Sequence, residues 1–318
     1  MSKSAIEAIE RAVQQWQPPE ITGDIPHGDM PGDKVEIGPG HIAKANVIFP
    51  ALLPLLADTL KKSSNGRAVL TVCGGSGVGK SETASLLTYY LQQLGVGSYT
   101  LSGDNYPRRI PQYNDAERER IFRVSGVRGM LAEGFYTAEA GAKLRELWAE
   151  ERDADPKAAE EYPWLESYQK AGRQGLCGYL GTANEQDFDE LSAIVAKFKN
   201  GADKIWLKRM GRTVDALWYD EVDFSGISVL IIEWTHGNSA GYQGVDIPIL
   251  LNSTPAETRE HRRSRNRDGK VDSAFTTMVL EIEQQLLAER AHAAKLIVSK
   301  SGELLSYEEY KKLMDAGR

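Results

Sequence analysis

Cysteine is nearly missing from this chain: Cys73 and Cys177 are the only two in 318 residues. They lie far apart with no partner motif, which excludes a disulfide framework and a cysteine-bound metal and fits a reducing, cytoplasmic setting. Long apolar runs are missing too. None approaches the roughly 18 residues of a membrane span, and the opening MSKSAIEAIERAVQQW has an amphipathic helix pattern in place of a signal-peptide core. Positive charge is in deficit: the formal net charge is −7 and the pI about 5.4. A nucleic-acid or anionic-membrane binder usually carries a basic face, so both classes are disfavoured. No repeat and no low-complexity tract occurs. The tetrapeptide N-K-x-D, which a guanine-reading switch would need, is absent, and so is the basic track of a helicase.

What remains is the composition of a soluble globular protein, 41% apolar and 26% charged, with length for one large or two ordinary domains. Ala5, Ile6, Ile9, Val13 and Trp16 recur at helical spacing. Gln17 to Asp33 is rich in proline and glycine and reads as a linker. A second helix is expected from His41 to Lys62, kinked or delayed by Pro50 and Pro54. Residues 1–66 therefore read as a helical N-terminal appendage with a linker, and residues 67–318 as the main domain.

From Arg67 the pattern becomes strand, glycine loop, helix. RAVLTVC is a β-branched run, and SETASLLTYYLQQLG carries apolar residues at helical spacing and stops at Gly95. Between them Gly74-Gly75-Ser76-Gly77-Val78-Gly79-Lys80-Ser81 fits G-x-x-x-x-G-K-[ST] at every fixed position. A backbone without Cβ atoms can curl its N–H groups around a polyphosphate, with the positive end of the next helix behind it. Gly75 through Glu82 are thus the candidate ATP-binding residues. Lys80 is placed to reach the β- and γ-phosphates and Ser81 to ligate Mg²⁺. An incidental glycine turn is the bland alternative, and the flanking strand and helix weigh against it.

Three further segments narrow the use of the nucleotide. A strand over Ser98 to Ser102 leads into Asp104, Asn105 and Tyr106, beyond the carboxyl end of a strand, where ligands of open α/β sheets bind. Asp104 there can accept the proton of an attacking hydroxyl; an ordinary Asp turn residue is the plain reading. The run Ile227 to Ile232 suits a central parallel strand, and Glu233 at its end is a candidate metal-site carboxylate. His236 falls in the same crevice, although a lone His is more often structural. After the strand IPILLN, the stretch STPAETREHRRSRNRDG reads as a helix to Gly269 bearing Arg259, Arg262, Arg263, Arg265 and Arg267. An arginine lid over ATP, about 255–272, competes with a solvated helix face.

Taken together, the glycine loop, SGDNY, DFDELSAIVAKFKNG (Asp187 to Gly201), VLIIEWTHG and REHRRSRNRDG resemble the phosphoribulokinase and uridine kinase family of P-loop kinases. The resemblance runs from about Arg67 to Val298. It implies Asp104 as catalytic base, Tyr106 as the aromatic of that turn, Glu233 as the strand-end glutamate, and Arg262 and Arg265 as lid arginines. Three departures stand out, one being the N-terminal appendage, which has no obvious counterpart. The family's Glu-Gly is Glu233-Trp234 here, with glycine only at Gly237. A long helical insertion, about 107–186, also exceeds what compact members carry.

The expected fold is α/β: a three-layer αβα P-loop NTPase with a mostly parallel sheet, the insertion and the appendage. The expected activity is transfer of the ATP γ-phosphoryl group to a hydroxyl of a small metabolite, a sugar, polyol, nucleoside or one of their phosphates. Arg108 and Arg109 beside the base, with Lys208, Arg209 and Arg212, would suit an anionic acceptor, or are simply solvated. The candidate acceptor residues are Tyr106, Arg108, Arg109, Arg209 and His236. A non-catalytic nucleotide-binding regulator on the same scaffold is the alternative. The expected cofactors are ATP and Mg²⁺ and the expected partner is the hydroxyl acceptor, with no nucleic acid, no membrane, and homo-oligomerisation left open.

Overall fold

A computed structural model describes residues 2–254, 257–260 and 273–316. In chain order, α1 (Ser2–Gln15) and α2 (Pro39–Lys62) precede β1 (Ala68–Gly74), α3 (Lys80–Gln93) and β2 (Ser98–Ser102). Four helices follow: α4 (Pro111–Ala132), α5 (Ala138–Ala149), α6 (Pro156–Glu161) and α7 (Leu165–Cys177). Then come α8 (Phe188–Lys199), the hairpin β3 (Lys204–Met210) and β4 (Leu217–Asp223), β5 (Val229–Glu233) and β6 (Ile247–Leu251). The chain closes with α9 (Ala274–Arg290), β7 (Leu296–Val298), β8 (Leu304–Leu305) and α10 (Tyr307–Ala316).

The main sheet has the order β2-β5-β1-β6-β7-β8. All its pairs are parallel except β7 with β8. Every residue of β1 and β5 is buried, which is why both read as continuous apolar runs. Leu70, Val72, Ile231 and Ile249 point to one face and pack with α1, α2 and α3. Val69, Leu101, Leu230 and Ile232 point to the other and meet α8 and the hairpin. This is the expected layered α/β fold.

Helices α1 and α2, expected as an appendage, share the core of the sheet. Trp16, Phe49 and Tyr90 form an aromatic cluster with centroids 5.1 to 5.6 Å apart, fastening α1 and α2 to α3. The α2 helix runs unbroken through Pro50 and Pro54. Each proline removes a backbone donor at a cost of about 3 kcal/mol in a helix interior. Both prolines sit on the exposed side, where freed carbonyls reach water, while Ile48, Phe49, Leu52, Leu53, Leu56 and Leu60 are buried and contribute about 1.5–3 kcal/mol each. Among the described residues α2 is the one helix long and apolar enough to cross a membrane, and 44% of that apolar window is buried inside the protein.

The insertion has its own apolar cluster around Phe122, Met130, Leu147 and Tyr168, joined to α9 through Phe275. Its helices α4 and α7 press together along a seam of small residues. A Cβ on Gly126 would fall 2.5 Å from the Tyr168 ring, and one on Gly129 would fall 2.2 Å from Ala171 Cβ. The α4 helix of the insertion lines one cavity with Asp104 of the turn after β2. The helix expected to continue to Gly269 lies outside the described residues beyond Glu260, as do Arg262, Arg263, Arg265 and Arg267.

Candidate active site

The glycine loop joins β1 to α3, and Gly79 caps the helix in a left-handed conformation, φ 93°. That geometry leaves the first N–H groups of α3 open toward the loop, an anion-binding arrangement. Lys80 Nζ donates to the Gly75 carbonyl at 3.1 Å, so the ammonium already lies within the loop. Behind the loop, the His41 ring at the start of α2 accepts from Gly38 N through Nδ1 at 3.1 Å. Its opposite edge lies 3.0 Å from where a Gly79 Cβ would stand.

Register brings the next group in. Val72 and Ser102 are both paired with Glu233 across neighbouring strands. Glu233 accepts from Ser102 Oγ at 2.6 Å and from Ser81 Oγ at 3.2 Å. Burial pushes its carboxyl up to about 8, the Asp104 charge adds to this, and Lys80 opposes it. A hydroxyl and a carboxylate side by side, next to a polyphosphate loop, fit Mg²⁺, which usually takes only one or two protein oxygens beside those of substrate phosphate. Among the described residues no set of three or more His, Cys, Asp or Glu gathers into a metal site.

Asp104 sits in the single 3₁₀ turn Gly103–Asn105 that follows β2. Its neighbours Gly103 and Asn105 are buried while Asp104 is exposed, facing the cavity. The turn is close-packed for a specific reason: a Cβ on Gly103 would stand 2.1 Å from Trp234 Cγ. Trp234, where the family pattern has glycine, donates its backbone N–H to Val72 O at 3.1 Å and packs its indole against Phe188 and Tyr242. The chain after β5 thus takes a course with a bulky residue under the turn, and Gly103 makes room for it.

A cavity of about 430 Å³ opens from Ser76 and Gly77 of the loop past Asp104 and His236. Its far walls are α4, through Asn114, Asp115, Arg118, Phe122 and Arg123, and α9, through Phe275, Thr276 and Glu283. The carboxyls of Asp115, Glu119, Glu151, Asp153 and Glu283 face this space beside Arg118, Arg123 and Arg212. Arg118 is held at 2.7 Å by Glu185 and Arg123 at 3.3 Å by Asp153, so two of those cations are already matched within the protein. His236 is buried, and burial lowers its pKa to about 4 against the opposing pull of Glu185. It is a neutral ring in the wall.

The remaining acceptor candidates lie elsewhere. Tyr106 is fully buried in the core under the hairpin, with Lys208 Nζ 5.1 Å from its ring centroid. Arg108 bonds to Ala183 O and Asp187, and Arg109 to Tyr179 Oη and Asn184 O. Arg209 pairs with Asp29 and Asp220 at 2.9 and 3.1 Å. None of these four is among the residues lining the cavity, whereas Arg212 is.

Sequence reasoning missed the N-terminal strap, residues 17–38. Its stretch from Gln17 to Asp33, read as a linker, lies against the site: Met30 lines the cavity, and a Gly28 Cβ would stand 3.8 Å from Glu233 Oε1. Asp29 is almost wholly enclosed. Its Oδ1 accepts from Ser102 N at 2.8 Å and Asn105 Nδ2 at 3.0 Å, and its Oδ2 from Tyr99 Oη and Arg209 Nη1, each at 2.9 Å. Its pKa is raised, because burial outweighs the Arg209 guanidinium, which lowers it. Three of its four partners can only donate, which opposes that rise.

No family model matches the chain. A bifunctional alpha-galactosidase/sucrose kinase of Mediterraneibacter gnavus is 39% identical over 240 residues, which are 76% of this chain and 21% of that protein. The chain therefore spans about a fifth of the curated relative it matches. Among solved structures, it is similar to a D-glycerate 3-kinase from Cryptococcus neoformans var. grubii, with 12% identity, a TM-score of 0.47 and coverage of 82% of this chain and 97% of that one. It is also similar to a structure described as a possible uridine kinase from Bacillus stearothermophilus, at 15% identity, TM-score 0.37 and coverage of 77% and 98%.

Proposed function

We propose that the chain is an ATP-dependent kinase that transfers the γ-phosphoryl group to a hydroxyl of a neutral, polyhydroxylated small molecule, a sugar or short sugar. The observation that carries this reading is one cavity lined both by Ser76 and Gly77 of the glycine loop and by Asp104. The relative named a sucrose kinase supports it.

Ser76 to Ser81 bind and orient the triphosphate, and Lys80 leaves its Gly75 carbonyl to meet the phosphate oxygens. Ser81 and Glu233 would hold Mg²⁺, which when bound neutralises charge on the β- and γ-phosphates. Asp104 takes the proton of the attacking hydroxyl, and a position fixed by close packing makes the in-line approach cheap in entropy. Arg262 and Arg265 are proposed to close over the nucleotide and exclude water.

The acceptor class follows from the wall. Among the lining residues carboxyls outnumber arginines, and Arg118 and Arg123 are engaged with Asp115, Glu283, Glu119 and Asp153 of the same wall, which favours an uncharged acceptor over a phosphorylated one. Hydroxyl groups bond to carboxylates and arginines alike, and Phe122, Trp234 and Phe275 supply apolar faces. A cavity of about 430 Å³ holds more than one sugar ring. The test is ADP release by the purified protein with ATP and MgCl₂ against neutral mono- and disaccharides, polyols, nucleosides and sugar phosphates. Neutral carbohydrates should stimulate it, and Asp104→Asn should lower the stimulated rate by about 10²- to 10⁴-fold while still binding ATP. Stimulation by sugar phosphates alone would reject the acceptor class; none from any acceptor would favour the non-catalytic alternative.

A further inference from the structure

The strap contributes a working residue. We infer that Asp29 is a positioning residue for the phosphoryl-transfer site, holding the turn that carries Asp104 at the angle the reaction needs; this rests on the kinase reading above. The argument starts from where Asp29 bonds. Its Oδ1 receives the backbone N–H of Ser102, the last residue before the turn, and the side-chain amide of Asn105, the last residue within it. Asp104 lies between those two points. Asn105 in turn accepts from Met210 N at 3.0 Å, so the turn is pinned on one side to the strap and on the other to the β3 strand of the hairpin.

Oδ2 ties the same carboxylate to the hairpin a second time, through Arg209, which is 7% exposed and also bonds Tyr99 Oη at 3.1 Å. A buried charge pair of this kind is costly to desolvate and is weak evidence for stability. A hydrophobic contact would fasten a strap with less penalty. What the carboxylate offers beyond fastening is direction: two donors from the ends of one short turn converge on a single oxygen, which leaves that turn little freedom to rotate. The strap is itself anchored, with Ile21, Ile25 and Ile37 packed on the core and Tyr89 Oη bonded to Glu20 O and Thr22 O. Asp29 is therefore a fixed post.

The test is a double-mutant cycle with Asp29→Asn, Asp104→Asn and both together. Asparagine keeps the volume but cannot offer two anionic oxygens. Because a misplacement of about 1 Å can cost a hundredfold, Asp29→Asn should lower kcat by about ten- to hundredfold. Affinity for ATP should stay within about twofold, since Asp29 touches no loop residue. In the Asp104→Asn background the same change should lower the residual rate by less than about twofold, as expected for two residues acting as a unit. If Asp29→Asn does not fold, Asn105→Ala breaks the link from the turn side and leaves the Asp29–Arg209 pair in place; the same non-additivity is expected. An unchanged kcat, equal losses in both backgrounds, or a parallel loss of ATP affinity overturns the inference and leaves the kinase reading standing. A wild-type protein with no acceptor-dependent turnover overturns both.

Discussion

Gly103→Ala is a small substitution with a large expected consequence. Gly103 lies in a 3₁₀ turn, a conformation alanine adopts freely, so the whole effect comes from space. The new Cβ would stand 2.1, 2.4 and 2.5 Å from Trp234 Cγ, Cδ2 and Cβ, where 3.4 to 4 Å is ordinary contact. Something must therefore move by about 1 Å or more. The indole cannot yield cheaply: it is 2% exposed and wedged against Phe188 and Tyr242 at 5.6 and 5.9 Å. Strain then passes to the turn, which is pinned through Ser102 and Asn105 but less tightly packed at the exposed Asp104 it carries. Overpacking should cost about 1–3 kcal/mol, a drop in Tm of roughly 2–4 °C per kcal/mol for a chain of this size. A shift of about 1 Å in the base should lower kcat by about a hundredfold, while ATP affinity, set at the loop, stays within about twofold. Adding Trp234→Leu should recover part of the lost turnover by opening the space. Measuring kcat, ATP affinity by titration calorimetry, and Tm on the single and double variants decides it. Wild-type turnover in Gly103→Ala, or turnover lost only in step with ATP affinity, would refute the argument that packing aims the turn.

Lys80→Ala should weaken ATP binding by about tenfold or more and abolish turnover, since charge-assisted bonds to phosphate contribute about 1.5–3 kcal/mol; calorimetry checks it, and unchanged affinity would count against the loop. Arg67→Ala should destabilise the fold by about 3 kcal/mol or more, because its guanidinium donates to the carbonyls of Phe198, Ala202 and Phe224 at 2.8 to 2.9 Å and their loss leaves buried acceptors unpaired; urea unfolding reads this. His236 links stability to pH. Its pKa falls from 6.5 to about 4 on folding, so the unfolded chain binds a proton that the folded one refuses. Stability should be lost as pH drops from 6.5 toward 4, by up to roughly 3 kcal/mol from this residue. His236→Gln should flatten that slope in urea unfolding at pH 7 and pH 5, and an unchanged slope would contradict it.

Much of the architecture was legible because its signals are local. The β-branched run before the glycine loop, the helical spacing after it, and the strands ending at Ser102 and Glu233 each declare themselves within a dozen or so neighbours. Pairing Glu233 with Val72 and Ser102 then follows from parallel register. Other features depend on distance along the chain. Asp29 sits in a proline- and glycine-rich stretch with no periodicity, and its partners Ser102 and Arg209 are 73 and 180 residues away. Nothing local marks it. The prolines of α2 suggested a break, and tertiary burial of the helix's opposite face overrode them. Arg108, Arg109 and Arg209 read as free cations because their carboxylate, carbonyl and phenol partners come from other elements. One feature of the insertion was visible: Gly126 and Gly129 on one helix and Gly172 and Gly175 on another, residues three apart that share a helix face.

The central claim is transfer of phosphate to a neutral carbohydrate hydroxyl, and ³¹P NMR of the protein with ATP, MgCl₂ and sucrose or another neutral sugar from the panel tests it directly. A new phosphomonoester resonance should grow in equal amount with ADP, and about 10²- to 10⁴-fold more slowly with Asp104→Asn. Growth of inorganic phosphate alone, or an unchanged ATP spectrum with every neutral sugar supplied, would contradict it.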